Sequence, residues 1–362
     1  MEKIRLAILF GGRSSEHDIS VKSAESIIRN LDKNKYEILL VGVDREGRAH
    51  FGADFISTNV PLATPLLEDL KKNAAALIYP DRFAGGIDGS ISACIDAAFP
   101  IFHGSYGEDG AIQGLLRMLQ VPFVGAGVLG SAIGMDKDVT KRLLREAGIP
   151  VAKHLTYERH EKNGITYEKT VSKLGNVVFV KPASLGSSVG VNKVCVEAEF
   201  YDAVAEAYSY DNKIIIEEYI DGREIECAIL GNEHPEASVL GEIIVHGCFY
   251  SYSAKYLNEY NVNLKIPADL TEEVSVKIRE MAVKAFKVLC CEGMARVDFF
   301  LKDNAEVLVN EINTIPGFTE ISMYPKLWEA SGVEYGELLD RLITLAISRY
   351  NRDNDLRIDS SY

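Results

Sequence analysis

The sequence lacks a long apolar segment and a recognisable leader. No apolar run approaches the ~20 residues that span a bilayer, which excludes a helical membrane-spanning chain. The first residues, Met1-Glu2-Lys3, lead directly into an apolar strand. We therefore expect no signal peptide and a cytoplasmic protein.

Excess positive charge and paired cysteines are also missing. The formal net charge is −14 at pH 7, which argues against a general nucleic-acid binder and against binding to an anionic membrane, since both need a basic surface. The six cysteines show no CxxC pairing. Reduced thiols in the core are therefore expected.

Two common nucleotide-binding signatures are absent. The first predicted strand, residues 4–10, ends in Gly11-Gly12 rather than in GxGxxG, so a dinucleotide fold has little support. The loop after Lys181, ASLGSSVG, is not a Walker A sequence. Its backbone N–H groups and hydroxyls could still cover phosphates while the lysine supplies a charge. The alternative for this loop is a flexible hairpin tip.

What remains is an ordinary globular composition arranged as strands, polar loops and helices. The chain has 362 residues, 47% hydrophobic and 25% charged, enough for two or three domains with α/β character. Small residues at 125–134 predict a flexible domain boundary. Because ligand sites in open α/β sheets lie at the carboxyl ends of strands, Glu16 and His103 are candidate site residues. A structural hydrogen-bonding role is the alternative for His103.

A predicted β-hairpin near the C-terminus carries the clearest chemical pattern. Its strands, RVDFFL and EVLVNEIN, are separated by a polar turn. Side chains alternate faces along a strand, so Glu311 and Asn313 point to the same face. Pairing with the neighbouring strand can bring Asp298 onto that face as well. Oxygen ligands of this kind suit Mg²⁺ bound to a nucleotide, and Arg296 lies on the same face. A solvated hairpin with scattered charges is the alternative.

A long tyrosine-rich segment precedes this hairpin. Residues 247–264 have little helix or strand pattern. Irregular loops of this length inside a compact domain are usually functional, and we expect a lid.

Taken in order, the motifs resemble those of the D-alanine–D-alanine ligases of the ATP-grasp superfamily. The resemblance rests on FGGRSSEHDIS, HGSYGEDGAIQG, GMDK, VKPASLGSSVG, FYSYSAKY, MARVDFF and NEINTIPGFTEISMYP. It implies a three-domain α/β fold: an N-terminal Rossmann-like parallel sheet (1–127), a central α+β lid domain (128–219) and a C-terminal α+β domain (220–362). It also implies a homodimer that uses ATP and D-alanine.

The resemblance assigns a role to each candidate residue. ATP would be bound by Lys137, Lys181, Ser188, Glu217, Glu224 and Lys255, with the two first lysines on phosphates, Glu217 near adenine and Glu224 near the ribose. Two Mg²⁺ or Mn²⁺ ions would be bound by Asp298, Glu311 and Asn313. Catalysis would depend on Glu16, Ser187, Tyr256 and Arg296, and the substrates would also contact His103, Gly317, Ser322 and Met323. The sequence departs from the commonest pattern at Ser251 and Ser253, where acidic residues are frequent.

The implied reaction joins two D-alanines through a D-alanyl phosphate, for peptidoglycan precursor synthesis. Relatives that make D-alanyl-D-lactate or D-alanyl-D-serine typically carry Arg at the position of Met323. The alternatives are one of those ligases, another ATP-grasp carboxylate–amine ligase, a biotin-dependent carboxylase and a non-catalytic ATP-binding module. The N-terminal loops argue against the other carboxylate–amine ligases and the carboxylase, and the retained metal and phosphate ligands argue against the non-catalytic module.

Overall fold

Three β-sheets follow one another along the chain, each covered by helices. The computed structural model describes residues 2–51, 77–78, 95–245, 262–303 and 306–357. In those ranges, no helix combines the length and the apolar character that crossing a membrane requires.

The N-terminal sheet has a parallel centre and an antiparallel edge. Its order is β4-β3-β2-β1-β5, with β1 parallel to both β2 and β5. The elements are β1 (Ile4–Gly11), α1 (His17–Asn30), β2 (Tyr36–Val43), β3 (Ala49–Phe51), β4 (Leu77–Ile78), β5 (Ala97–Pro100) and α2 (Ala111–Met118). The continuous apolar run of β1 is buried because helices and neighbouring strands cover it. The carboxyl ends of β1 and β5 therefore bring the loops of Glu16 and His103 together.

Phe123 forms a single parallel bridge with Ala98. The flexibility predicted for residues 125–134 was wrong for most of that segment, because helix α3 (Val128–Met135) occupies it. Its glycines allow close packing: a Cβ on Gly130 would lie 2.6 Å from the carbonyl oxygen of Cys290.

The central sheet has the order β6-β9-β7-β8, and each neighbouring pair is antiparallel. The elements are α4 (Lys137–Glu146), β6 (His154–Glu158), a 3₁₀ turn (Arg159–Gly164), α5 (Tyr167–Leu174), β7 (Val178–Pro182), β8 (Asn192–Val194), α6 (Glu197–Tyr210) and β9 (Lys213–Glu218). Val180, Phe200 and Ile216 are fully buried in its core. Strand β7 ends at Lys181-Pro182, which places the glycine-serine loop at this end of the sheet.

The C-terminal sheet is antiparallel, in the order β12-β11-β10-β13-β14. The elements are β10 (Arg223–Gly231), β11 (Glu236–Val245), β12 (Val262–Lys265), α7 (Glu272–Val288), β13 (Gly293–Lys302), β14 (Glu306–Asn313), α8 (Met323–Ala330) and α9 (Tyr335–Asn354). The Thr271 hydroxyl caps α7 by accepting from the N–H of Val274.

A shared core joins the C-terminal helices to the N-terminal sheet. Buried residues of β1 and β5 pack in one cluster with Tyr324 of α8 and Leu342 of α9. Arg349 of α9 is buried and donates hydrogen bonds to the carbonyls of Gly125 and Phe123. These contacts hold the sheets around a common cavity. The three-sheet α/β class is as expected, whereas the exact domain boundaries stay predictions.

Candidate active site

The hairpin of β13 and β14 supplies the charged centre of the cavity. Asp298 pairs with Glu311 in the strand register, and Arg296 pairs with Asn313. The Arg296 guanidinium donates to both Asp298 oxygens at 2.7 Å and lies 3.1 Å from the Glu226 carboxylate. Burial alone would lower the pKa of Arg296, but these two carboxylates raise it well above its usual value. Arg296 therefore stays a cation in this site.

Asn313 leaves a buried acceptor unused. Its Oδ1 atom is shielded from solvent and accepts no hydrogen bond from the residues that the structure describes. Glu311, on the same strand face, lies 3.5 Å from the Nζ of Lys137. A buried amide oxygen without a donor is unfavourable unless another ligand satisfies it. These oxygens therefore fit a bound cation.

The cavity beside the hairpin measures about 470 Å³ and is lined by strands of the C-terminal sheet and by helix and loop residues from the N-terminal and central parts of the chain. Twelve of the predicted site residues line it: Glu16, His103, Lys137, Ser187, Glu224, Arg296, Asp298, Glu311, Asn313, Gly317, Ser322 and Met323. Lys181, Ser188 and Glu217 do not line it. Lys255 and Tyr256, with most of the predicted lid, lie outside the described residues.

Two loops from different sheets meet at one wall. The hydroxyl of Ser187, in the glycine-serine loop, donates a hydrogen bond to the Glu16 carboxylate. Ser187 and Ser188 both adopt positive φ, at 52° and 58°, a backbone region that non-glycine residues occupy uncommonly. The loop therefore has a defined backbone shape and is hydrogen-bonded to the residue that precedes α1, and its role in covering phosphates stays a prediction.

His103 holds the loop that follows β14. Its Nδ1 lies 3.0 Å from the carbonyl oxygen of Ile315, so Nδ1 carries the proton and Nε2 accepts from the Ser23 hydroxyl at 3.3 Å. Ser23 in turn accepts from the N–H of Phe318 at 3.2 Å. Burial lowers the pKa of His103, which favours this neutral form. The geometry assigns His103 a positioning contact, and a contact with substrate stays a prediction.

Glu108 is a cavity residue that sequence reasoning missed. Its carboxylate accepts from the N–H of Gly104 at 2.8 Å and from the N–H of Ile315 at 3.4 Å. Burial, and then the nearby Glu16 carboxylate, raise its pKa to about 8. The signal was its place in the GSYGEDG loop, next to His103. Together, His103 and Glu108 bind both polar backbone atoms of Ile315.

The loop between β14 and α8 is shaped by its own hydroxyls. Ser322 Oγ accepts from the N–H of Thr319 at 3.0 Å, and its position leaves no room for a Cβ on Gly317, which would approach that oxygen to 2.8 Å. Met323 is 5% exposed and packs against Gly241. The sulfur and methyl of Met323 therefore lie close to β11, and an apolar contact with substrate stays a prediction.

Three lysines approach the site from the central sheet. Lys137 donates to the carbonyl of Leu185 in the glycine-serine loop at 2.7 Å. Lys181 donates to Glu217 at 2.6 Å, and the second carboxylate oxygen of Glu217 pairs with Lys141 at 3.0 Å. Sequence reasoning missed Lys141, although its position four residues after Lys137 places both on one helix face.

Comparison with known protein families shows which family this sequence belongs to. Models of the D-ala D-ala ligase N-terminus and C-terminus match residues 5–126 and 143–344. The chain belongs to the D-alanine–D-alanine ligase family. A family member from Shouchella clausii, named D-alanine–D-alanine ligase, is 49% identical over 364 residues, covering 99% of this chain and 98% of the relative.

Solved structures of the ligase family have the same fold. The D-alanine–D-alanine ligase from Coxiella burnetii superposes with a TM-score of 0.83 at 41% identity, covering 98% of each chain. The VanG D-Ala:D-Ser ligase from Enterococcus faecalis gives a TM-score of 0.82 at 31% identity, covering 95% of this chain and all of that one (100%). The ATP-grasp fold class is thereby confirmed.

The hairpin of β13 and β14 can supply some of the oxygen ligands of a divalent cation, and a bound substrate can supply others. Among the described residues, no group of three or more His, Cys, Asp and Glu side chains is arranged to hold a metal alone. The predicted set contains two carboxylates and one amide, and Mg²⁺ usually completes its shell with water and phosphate oxygens. The unused Asn313 Oδ1 supports this fit.

Proposed function

We propose that this protein joins two D-alanine molecules to D-alanyl-D-alanine, using ATP, for peptidoglycan precursor synthesis. Family membership over nearly the whole chain implies ATP and a divalent metal. The observation that carries the proposal is one cavity in which the hairpin oxygens, Lys137 and the two N-terminal loops meet. Such a cavity brings a phosphoryl donor and an amino-acid carboxylate within reach of each other.

In the first step, a carboxylate oxygen of one D-alanine attacks the γ-phosphorus of ATP and ADP leaves. Lys137 and Lys181 neutralise phosphate charge, Ser188 belongs to the loop above the phosphates, and Glu224 binds the ribose. Glu217 and the adjacent backbone face adenine. Lys255 joins the phosphates when the tyrosine-rich loop closes. Asp298, Glu311 and Asn313 would hold two Mg²⁺ or Mn²⁺ ions, which would supply charge neutralisation at the transferring phosphoryl group.

In the second step, the free amine of another D-alanine attacks the acyl carbon of the D-alanyl phosphate, the bond from that carbon to the phosphate oxygen breaks, and the departing phosphate takes up the proton that the amine loses. Arg296 faces the developing oxyanion, a kind of contribution worth roughly 3–4 kcal/mol per donor. Glu16 binds the ammonium of the first D-alanine, and its bond to Ser187, extended by Tyr256, closes the site against water.

The second substrate lies against the loop that follows β14. The Gly317 backbone and Ser322 receive its carboxylate, and Met323 offers an apolar wall for the methyl group. Apolar pockets reject an added hydroxyl only by about 10²-fold, so D-serine is a poorer but competing substrate. The structural likeness to a D-Ala:D-Ser ligase keeps D-alanyl-D-serine as the second candidate product.

The test is ATP-dependent phosphate release by the purified chain with D-alanine, D-serine or D-lactate as the second substrate. With D-alanine as the sole amino acid we expect phosphate release, and with L-alanine as the sole amino acid we expect none. Phosphate release that does not depend on any D-amino acid would contradict the proposal. Size-exclusion chromatography with light scattering tests the homodimer that we also propose.

A further inference from the structure

Helix α4 carries two lysines, Lys137 and Lys141, one turn apart on one face. Lys137 lines the cavity, but Lys141 does not. The Lys141 side chain is 1% exposed. A buried ammonium is unfavourable unless it is paired and hydrogen-bonded, so the contacts of Lys141 explain why it is tolerated there.

Lys141 connects the central sheet to the metal-binding hairpin. Its Nζ lies 3.0 Å from one oxygen of Glu217 on β9 and donates to the carbonyl of Asn310 on β14 at 3.1 Å. Asn310 directly precedes Glu311. The other oxygen of Glu217 accepts from Lys181 at 2.6 Å, so one carboxylate bridges two ammonium groups.

The charges of this bridge are not balanced. Lys141 and Lys181 carry two positive charges against one on Glu217, and the nearby carboxylates of Glu311 and Glu224 also raise the pKa of Lys181. Burial lowers the pKa of Lys141 and opposes its charge, whereas Glu217 favours it. Burial would raise the pKa of Glu217, but the two lysines outweigh it and lower that pKa. Without Lys141, Glu217 would neutralise Lys181 alone.

We propose that Lys141 is a positioning residue for nucleotide binding, which acts through the Glu217 carboxylate to set the position and the available charge of Lys181. Lys141 itself contacts no reacting atom. The inference rests on the proposed function, since it takes Lys181 as a phosphate ligand. A lysine that only stabilises the fold would affect both substrates alike, and this difference separates the two roles.

The test is a double-mutant cycle of Lys141→Met and Glu217→Gln, read by calorimetric titration with ADP and Mg²⁺ and by KM for D-alanine. We expect Lys141→Met to weaken ADP binding about tenfold, because Glu217 then neutralises Lys181 alone and weakens the charge-assisted contact of Lys181 with phosphate. The KM for D-alanine should stay within about twofold. The double variant should bind ADP no more weakly than Glu217→Gln, because Lys141 acts through that carboxylate.

The control is Lys284→Met. Lys284 is an exposed lysine of α7 whose Nζ donates to a backbone carbonyl, that of Ala147, at 2.8 Å. Its loss should leave ADP binding unchanged. If Lys141→Met does not fold, Lys141→Gln keeps a donor for Asn310 without the charge, and the same weakening is expected.

Three results would each overturn the proposal. The first is an unchanged ADP affinity in the Lys141 variant, and the second is a rise in the KM for D-alanine as large as the loss of ADP affinity. The third is a loss of ADP affinity in the double variant that equals the product of the losses in the two single variants. Wild-type protein that binds ADP normally in that experiment leaves the proposed function standing. Wild-type protein that does not bind ADP would overturn the proposed function and this inference together.

Discussion

Asp298→Asn and Glu311→Gln should abolish ligation alike but differ in stability. Each change removes a charge from a proposed metal ligand while keeping its shape. Asp298 makes two 2.7 Å hydrogen bonds to Arg296, whose side chain is 16% exposed. Removing one partner of a buried ion pair costs roughly 3–5 kcal/mol, and Glu226 remains beside Arg296, so we expect about 3 kcal/mol for Asp298→Asn.

Glu311 is in a different environment. Its side chain is 32% exposed, and its 3.5 Å contact with Lys137 leaves that lysine its bond to Leu185. Partly exposed pairs contribute about 1 kcal/mol or less, so Glu311→Gln should barely change the free energy of unfolding.

The assay combines thermal unfolding with D-alanine-dependent phosphate release at saturating Mg²⁺. Asp298→Asn should lower the melting temperature by roughly 4 °C, and Glu311→Gln by about 1 °C or less. Both should lose turnover. Wild-type turnover in either variant would refute the metal assignment, and a larger stability loss in Glu311→Gln would refute the ion-pair argument.

Three further predictions concern the second substrate, Glu108 and the packing of α3. Met323→Arg should shift product preference from D-alanyl-D-alanine toward the hydroxylated substrates, because it replaces an apolar wall with a donor; unchanged ratios in a competition assay would count against the loop assignment. The pKa of Glu108 is raised from 4.5 to about 8, so its stabilising contribution is complete below the lower value and is lost as pH rises through about 8. As pH rises from 4.5 to about 8, the melting temperature of Glu108→Gln should therefore fall less than that of the wild type. Melting temperatures that fall equally with pH in the two proteins would contradict the argument. Gly130→Ala should destabilise by about 1–3 kcal/mol, because its Cβ would meet the Cys290 carbonyl, whereas Gly114→Ala on α2 meets nothing within 4 Å and should not destabilise.

The C-terminal hairpin could be predicted because its signals are local. The sequence indicates that Asp298 can share a strand face with Glu311, and the structure pairs these two residues directly. Helix α1 begins at His17, and Ser20 in its first turn is buried through polar contacts. The Ser20 hydroxyl accepts a hydrogen bond from the N–H of Gly11 and donates one to the carbonyl of Ile101. A hydrophobic pattern does not reveal such a residue.

The missed site residues depend on contacts between distant parts of the chain. Glu108 gains its role from the N–H of Ile315, 207 residues away, and Lys141 from the carbonyl of Asn310, 169 residues away. The composition of a sequence and the spacing of its motifs indicate which residues could belong to a site. They do not report which carboxylate is enclosed by two lysines, since that follows from packing.

The most direct test of the central claim is mass-spectrometric analysis of the product formed from ATP, Mg²⁺ and equal concentrations of D-alanine, D-serine and D-lactate at neutral pH. We predict D-alanyl-D-alanine as the main product, with one ADP and one phosphate formed for each dipeptide. A main product of D-alanyl-D-lactate or D-alanyl-D-serine would contradict the assignment of the second-substrate loop, and ATP hydrolysis without any ligated product would contradict the ligase function itself.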